Sequence, residues 1–241
     1  MAPSDLDAPD PSPPTVASSP PRPALTPVTA DLADDLVSEL GDFRPTKATD
    51  GRHARSERSR QAMVDALLDL LRDGNMRPSS AQIAERAGVT QRTLFNQFGD
   101  MESLVQAVAA RQARRILGML PRAEGATLEE RVASYCAGLQ GLLEETMHVR
   151  WAVVSNPHAD WTGAAAVGAA REFMRGHLAE AFAPELVALD DDGHAEVLDA
   201  LELETDPAAW RLRRVLQGLE ADQARRAVQR TMLAVLRDAS S

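Results

Sequence analysis

An all-α architecture is expected from three features of the chain: a three-helix helix-turn-helix domain near the amino terminus, followed by a larger helical carboxy-terminal domain. No stretch alternates apolar and polar residues at period two, as a half-buried strand does. From about Ser56 to Arg237, apolar residues recur at spacings of three and four, the period of one helix face. Glycine, proline and capping Ser, Thr or Asp residues fall between these segments, where helix ends require them.

The first 50 residues hold 10 of the 15 prolines, with Ser, Ala and Asp between them. Such a composition buries too little apolar surface to offset chain ordering, so residues 1–50 are expected to be a disordered acidic tail. Within it, Asp31 to Leu40 (DLADDLVSEL) has the spacing of a short acidic amphipathic helix. It reads either as a transient helix or as a segment that competes with phosphates for a basic surface. Arg52 to Arg60 (RHARSERSR) is a basic arm leading into a first helix, about Ser56 to Arg72. Met63, Ala66, Leu67, Leu70 and Leu71 form the apolar face of that helix, and Gly74 and Asn75 end it.

Pro78 to Leu104 (PSSAQIAERAGVTQRTLFNQFGDMESL) organises the chain. Ser79 or Ser80 is placed to cap a helix, and Ser79 with Gln82 has the spacing of a capping box. Ile83, Ala84 and Ala87 recur at helical spacing, Gly88 supplies a positive-φ turn, and Val89 plugs the corner. Thr90 caps a second short helix, Gln91 to Phe98, on which Leu94 and Phe98 face inward. Gln91, Arg92, Thr93, Asn96 and Gln97 are left outward, and their chemistry suits base edges and phosphates.

A long helix is expected from Met101 to about Leu120, ended by Pro121, with Val105, Val108, Ala109, Gln112, Ile116 and Leu117 along one stripe. Thr127 can cap a helix through Met147, whose apolar face includes Leu128, Val132, Tyr135, Cys136 and Leu139. The segment WAVVSNPHADWTG follows, with Asn-Pro and Thr-Gly as breakers. Helix resumes from about Ala164 to Phe182 and breaks at Pro184. An acidic loop, Asp190 to Gly193, precedes a helix at about His194 to Glu204. Thr205 or Asp206 caps the next, with Pro207 at its first position, and Gly218 stops it near Gln217. The last helix spans about Glu220 to Arg237.

Charge is segregated along this order. Residues 1–43 carry one arginine against eight acids; residues 44–115 carry 13 Lys and Arg against eight acids; residues 116–241 carry 12 against 20. The net −10 therefore hides a block of +5 around the helix-turn-helix, and phosphates respond to the local field within a Debye length of about 8–10 Å.

With its preceding helix SRQAMVDALLDLLRDG, the segment GNMRPSSAQIAERAGVTQRTLFNQFGDMESL resembles the DNA-binding domain of TetR/AcrR-type transcriptional repressors. It matches that family's pattern at Gly74, Ile83, Ala84, Ala87, Gly88, Val89, Thr93, Leu94, Phe98, Glu102 and Leu104. It departs at Phe95, where the family usually places a phosphate-binding tyrosine, and at Met101, where a lysine usually meets the backbone. The likeness is close from Arg55 to Leu117 and looser beyond. It implies three units: the tail at 1–50, a DNA-binding domain at 51–104, and an effector-binding and dimerisation domain at 105–241.

On this reading Gln91, Arg92 and Asn96 read bases, while Thr90, Thr93 and Phe95 lie against the DNA backbone. Gln97, Ser80, Arg55, Arg58 and Arg60 are phosphate or minor-groove candidates. The carboxy-terminal segment resembles the family's final two helices, which pair across a dimer. That places Trp210, Leu212, Val215, Leu216 and Leu219, with Ala227, Val228, Met232, Leu233 and Leu236, at a homodimer interface, the alternative for each being intrachain core. An effector pocket is expected among Tyr135, Met147, His148, Trp151, Trp161, Phe173, Met174 and His177, which otherwise simply fill the core.

Other chemistry has little support. There is no strand followed by clustered glycines for a nucleotide, and no His or carboxylate set at metal-ligand spacing, so no cofactor, metal or catalytic group is expected. Cys136, the single cysteine, excludes an intrachain disulfide and is read as buried and structural rather than redox-active. The acidic amino terminus lacks an apolar core for a signal peptide, and no run approaches the roughly 18 apolar residues of a membrane span, so a soluble cytoplasmic protein with no membrane partner is expected. The function expected is a ligand-responsive homodimeric repressor that binds a palindromic operator in double-stranded DNA. The alternative is an all-helical protein–protein interaction module that has lost DNA binding, suggested by Phe95, Met101 and the acidic total.

Overall fold

The computed structural model describes residues 51–155 and 164–240. The expected acidic tail, its helix at Asp31 to Leu40, and Trp161 lie outside the described residues. Among the described residues there are ten α-helices and no strand, so the molecule is all-α. None of these helices is long and apolar enough to cross a membrane.

The head is built from α1 (Gly51–Arg72), α2 (Ser80–Arg86), α3 (Gln91–Phe98) and the first half of α4 (Met101–Leu117). Helix α1 begins about five residues before the expected start, so Arg55 and Arg58 ride on its first turns rather than on an extended arm. The capping box on α2 is present: Ser79 Oγ accepts from Gln82 N at 3.3 Å, and Gln82 Oε1 accepts from Ser79 N at 2.9 Å. Gly88 turns the chain at φ +68°, a left-handed value that a side chain resists. Met63, Leu67 and Leu71 of α1 close over Ile83, Leu94, Phe98, Leu104 and Val108, all buried.

Helix α4 serves two cores. Val105, Ala107 and Val108 belong to the head, while Ala113 meets Phe173 and Ile116 packs against the body. The helix ends at Gly118 rather than near Leu120.

The body comprises α5 (Leu128–Ser155), α6 (Ala164–Ala181), α7 (Ala183–Leu186), α8 (Asp191–Thr205), α9 (Pro207–Arg211) and α10 (Ala221–Ala239). Five residues, Leu212–Leu216, continue α9 as a π-helical turn before Gly218 reverses the chain. Helix α5 runs eight residues past the expected end at Met147, because nothing between His148 and Ser155 breaks it. Trp151 is therefore helical, and the expectation of an irregular segment there is corrected. Asp190 caps α8 and Asp191 and Asp192 occupy its first turn, so the expected acidic loop is the start of a helix whose dipole favours those charges. Asp206 caps α9 with Pro207 first, as expected.

Val132, Tyr135, Leu139 and Leu143 of α5 form the spine of the body core, with Leu178, Phe182, Leu198, Trp210, Val228, Met232 and Leu236 around it. Head and body meet along α5: Val149 and Ala152 pack into the head core, and Glu145 accepts from Arg72 of α1 at 3.2 Å and Arg115 of α4 at 3.1 Å.

Candidate nucleic-acid interface and internal cavity

Helix α3 is held from three sides. Thr90 caps it, its hydroxyl accepting from Thr93 N at 3.2 Å and lying 2.9 Å from the Thr93 hydroxyl. Leu94 and Phe98 anchor it in the head core. Arg60 of α1 lies with its guanidinium 4.1 Å from the centre of the Phe98 ring and donates to Gln97 O at 2.8 Å. Burial pushes the Arg60 guanidinium below its usual pKa, with Glu57 opposing. Arg60 thus braces α3 from behind.

These ties sort the polar residues of the head. Gln97 exchanges hydrogen bonds with Ser56 of α1 at 2.9 and 3.1 Å, and Gln91 donates to Ser80 at 3.4 Å. Arg92 and Asn96 are exposed and make no hydrogen bond or ion pair with the described residues. Phe95 stands between them, 42% exposed. Arg55 and Arg58 are exposed on the flank, Arg58 donating to Ala54 O one turn back. A short, well-anchored helix thus presents an arginine, an asparagine and an aromatic ring to solvent, the pattern of a recognition helix.

Residues 64–108 match the family model for bacterial regulatory proteins of the tetR family. The match marks the head as similar to the DNA-binding domain of tetR-family regulators. The search of curated proteins and the search of solved structures each found no match. The matched residues run from Val64 in α1 through α2 and α3 to Val108 in α4, so the family's signature coincides with the core of the head.

The carboxy-terminal residues expected at a dimer interface divide in two. Trp210, Val228, Met232 and Leu236 are buried in the body core, Trp210 also donating to Glu144 at 3.0 Å. Leu219, Ala227 and Leu233 are half-buried. Leu212, Val215 and Leu216 are exposed on the π-helical turn, Leu216 at 71%. Leu203 of α8 is exposed as well.

The described residues expected around a pocket are spread over several parts of the body, with only Tyr135 and His177 in ring contact. Tyr135 and Met147 are buried in the body core, Tyr135 against the rings of Phe182 and His177, and His177 meets Pro121 O at 2.8 Å. Trp151 lies under the Arg211 guanidinium. His148 is half-buried, with its Nδ1 unpartnered among the described residues; burial first, then the Arg211 and Arg72 charges, lowers its pKa. Burial pushes the Cys136 thiol up to about 12, and it donates to Met232 Sδ at 3.6 Å.

A cavity of about 140 Å³ lies elsewhere, at the seam between head and body. Leu67 and Leu71 of α1, Val105 and Gln112 of α4, Val149 and Arg150 of α5, and Met174 of α6 contribute to its wall. Among the described residues, Met174 is the one expected pocket residue that reaches it. The signal that was missed is in the α4 stripe: Val105, Val108, Ala109 and Ile116 all line the cavity, and Gln112 is the polar residue among them.

Proposed function

We propose that this TetR-family regulator is a homodimeric repressor that binds a two-fold symmetric operator and is released by a small-molecule effector. The observation that carries the reading is the contrast on α3. Its other polar side chains are spent on holding the helix, while Arg92 and Asn96 are exposed and unengaged. Arg92 suits guanine O6 and N7, Asn96 suits adenine, and Gln91 can join them by giving up its weak contact with Ser80. Thr90, Thr93, Phe95, Arg55 and Arg58 then flank the backbone. Residues 51–104 act as the reading domain and 105–241 as the regulatory one.

Dimerisation through Leu212, Val215, Leu216, Leu219, Ala227 and Leu233 buries the apolar turn that a single chain leaves in water, and it spaces two heads along one face of the duplex. The effector sits in the seam cavity, where it touches α1 and α4 of the head and α5 and α6 of the body at once. It acts by favouring one head–body arrangement over another.

The test is selection of genomic DNA fragments by the purified chain, repeated with residues 1–43 deleted. Enrichment of a two-fold symmetric site is expected. Enrichment only after deletion assigns the acidic tail an inhibitory role. No enrichment by either form at moderate salt removes the repressor reading in favour of a protein–protein interaction module.

A further inference from the structure

The polar points on the cavity wall differ in what they still have to give. Arg150 is already paired with Asp206, through Nη2–Oδ2 at 2.8 Å and Nε–Oδ2 at 3.1 Å, and Arg171 is paired with Glu202. The hydroxyls of Thr146 and Thr205 each donate to a carbonyl one turn back, Leu142 O and Leu201 O, at 2.8 Å. Gln112 is only 6% exposed, and among the described residues neither its Oε1 nor its Nε2 has a hydrogen-bond partner. A bare amide in an apolar site is costly, and in a native structure it calls for an explanation.

We propose that the cavity takes an uncharged, mostly apolar molecule bearing one carboxamide or lactam, whose N–H and C=O pair with the Gln112 amide. The proposal rests on the effector reading above and gives that effector a chemical class. An amide offers a donor and an acceptor side by side, which is what Gln112 lacks on both of its atoms. A carboxylate or ammonium group is disfavoured, because the charged side chains on the wall are already matched and a buried charge needs a counterion. A hydrocarbon fills the space and leaves Gln112 bare. The cavity, partly open to the surface, has a volume of about 140 Å³, close to that of an apolar cavity of about 150 Å³ that holds benzene, so it takes about one ring of the occupant.

Full-length protein titrated with benzamide, sodium benzoate and ethylbenzene, by calorimetry and thermal melting, tests this. Benzamide is expected to bind at least tenfold more tightly than either of the others. Gln112→Leu is expected to melt higher than the parent without ligand, to lose benzamide affinity at least tenfold, and to retain ethylbenzene. Ala170→Trp, which fills the cavity from α6, is expected to abolish binding of all three. Benzoate binding as tightly as benzamide, undiminished benzamide binding by Gln112→Leu, or binding of none of the three overturns the assignment. If Gln112→Leu does not fold, the order of the three probes on the parent, together with Ala170→Trp, decides. DNA affinity measured in parallel on the selected fragments separates the two readings. Benzamide that binds without changing DNA affinity overturns the effector reading and leaves the site standing. Fragments enriched by a protein that binds no benzamide overturn the site and leave the regulator.

Discussion

Two arginines in the positive head, Arg60 and Arg92, show how little residue type alone decides. Both read as DNA contacts in the sequence; in the structure Arg60 is folded against Phe98 and Gln97, and Arg92 is exposed. Arg92→Ala should therefore relax sequence preference, losing about 1–3 kcal/mol at the base pair it reads while sparing random DNA. Binding assays on specific and random duplexes check this, and equal loss on both would refute base reading. Arg60→Ala should instead lower the melting temperature and weaken both kinds of DNA together, because α3 loses its brace. His148 allows a sign-checked pH prediction. Its folded pKa lies below the ordinary imidazole value of 6.5, so the unfolded chain takes up the proton first. The stability of the neutral form is present above pH 6.5 and declines as pH falls through the folded pKa. His148→Gln should flatten denaturant midpoints between about pH 7 and 5; an unchanged slope would show that other groups set the acid limb.

Helix ends were the most legible part of the sequence, because caps are local chemistry. Ser79, Thr90 and Asp206 cap the helices their spacing announces, and Gly88 takes the left-handed turn. A methyl group at Gly88 meets no atom within 4 Å, so Gly88→Ala carries backbone strain alone, about 1–2 kcal/mol. Gly168 on α6 is also uncrowded, but its φ is ordinary, and Gly168→Ala should stabilise by about 0.4–1 kcal/mol. Opposite signs in urea melts are the expected result; a stabilised Gly88→Ala would mean that the turn relaxes. Helix lengths were less legible. The sequence carries no stop signal between Met147, where α5 is expected to end, and Ser155, and backbone hydrogen bonding carries the helix on to Ser155.

Charge and symmetry act on the molecule entire. If a dimer neutralises about eight phosphates, log K should fall with log salt at a slope of about −7. Leu216→Asp, at the most exposed leucine of the π-helical turn, should halve the mass seen by sedimentation while leaving the melting of the monomer nearly unchanged. It should also weaken operator binding and roughly halve the salt slope. A variant that stays dimeric would move the interface elsewhere.

From the residues alone came the all-α class, the helix-turn-helix with its caps, its likeness to a tetR-type DNA-binding domain and the positive head within an acidic chain. These depend on spacing and composition over a few turns, and a linear pattern carries them. The packing of distant segments decided the rest. It turned Arg60 and Gln97 inward, drew Trp210 and Met232 into the core, left Leu216 in water, and opened a cavity at the wall that carries Gln112. Each of these depends on which face of one helix meets another, and residues far apart in the chain determine that together.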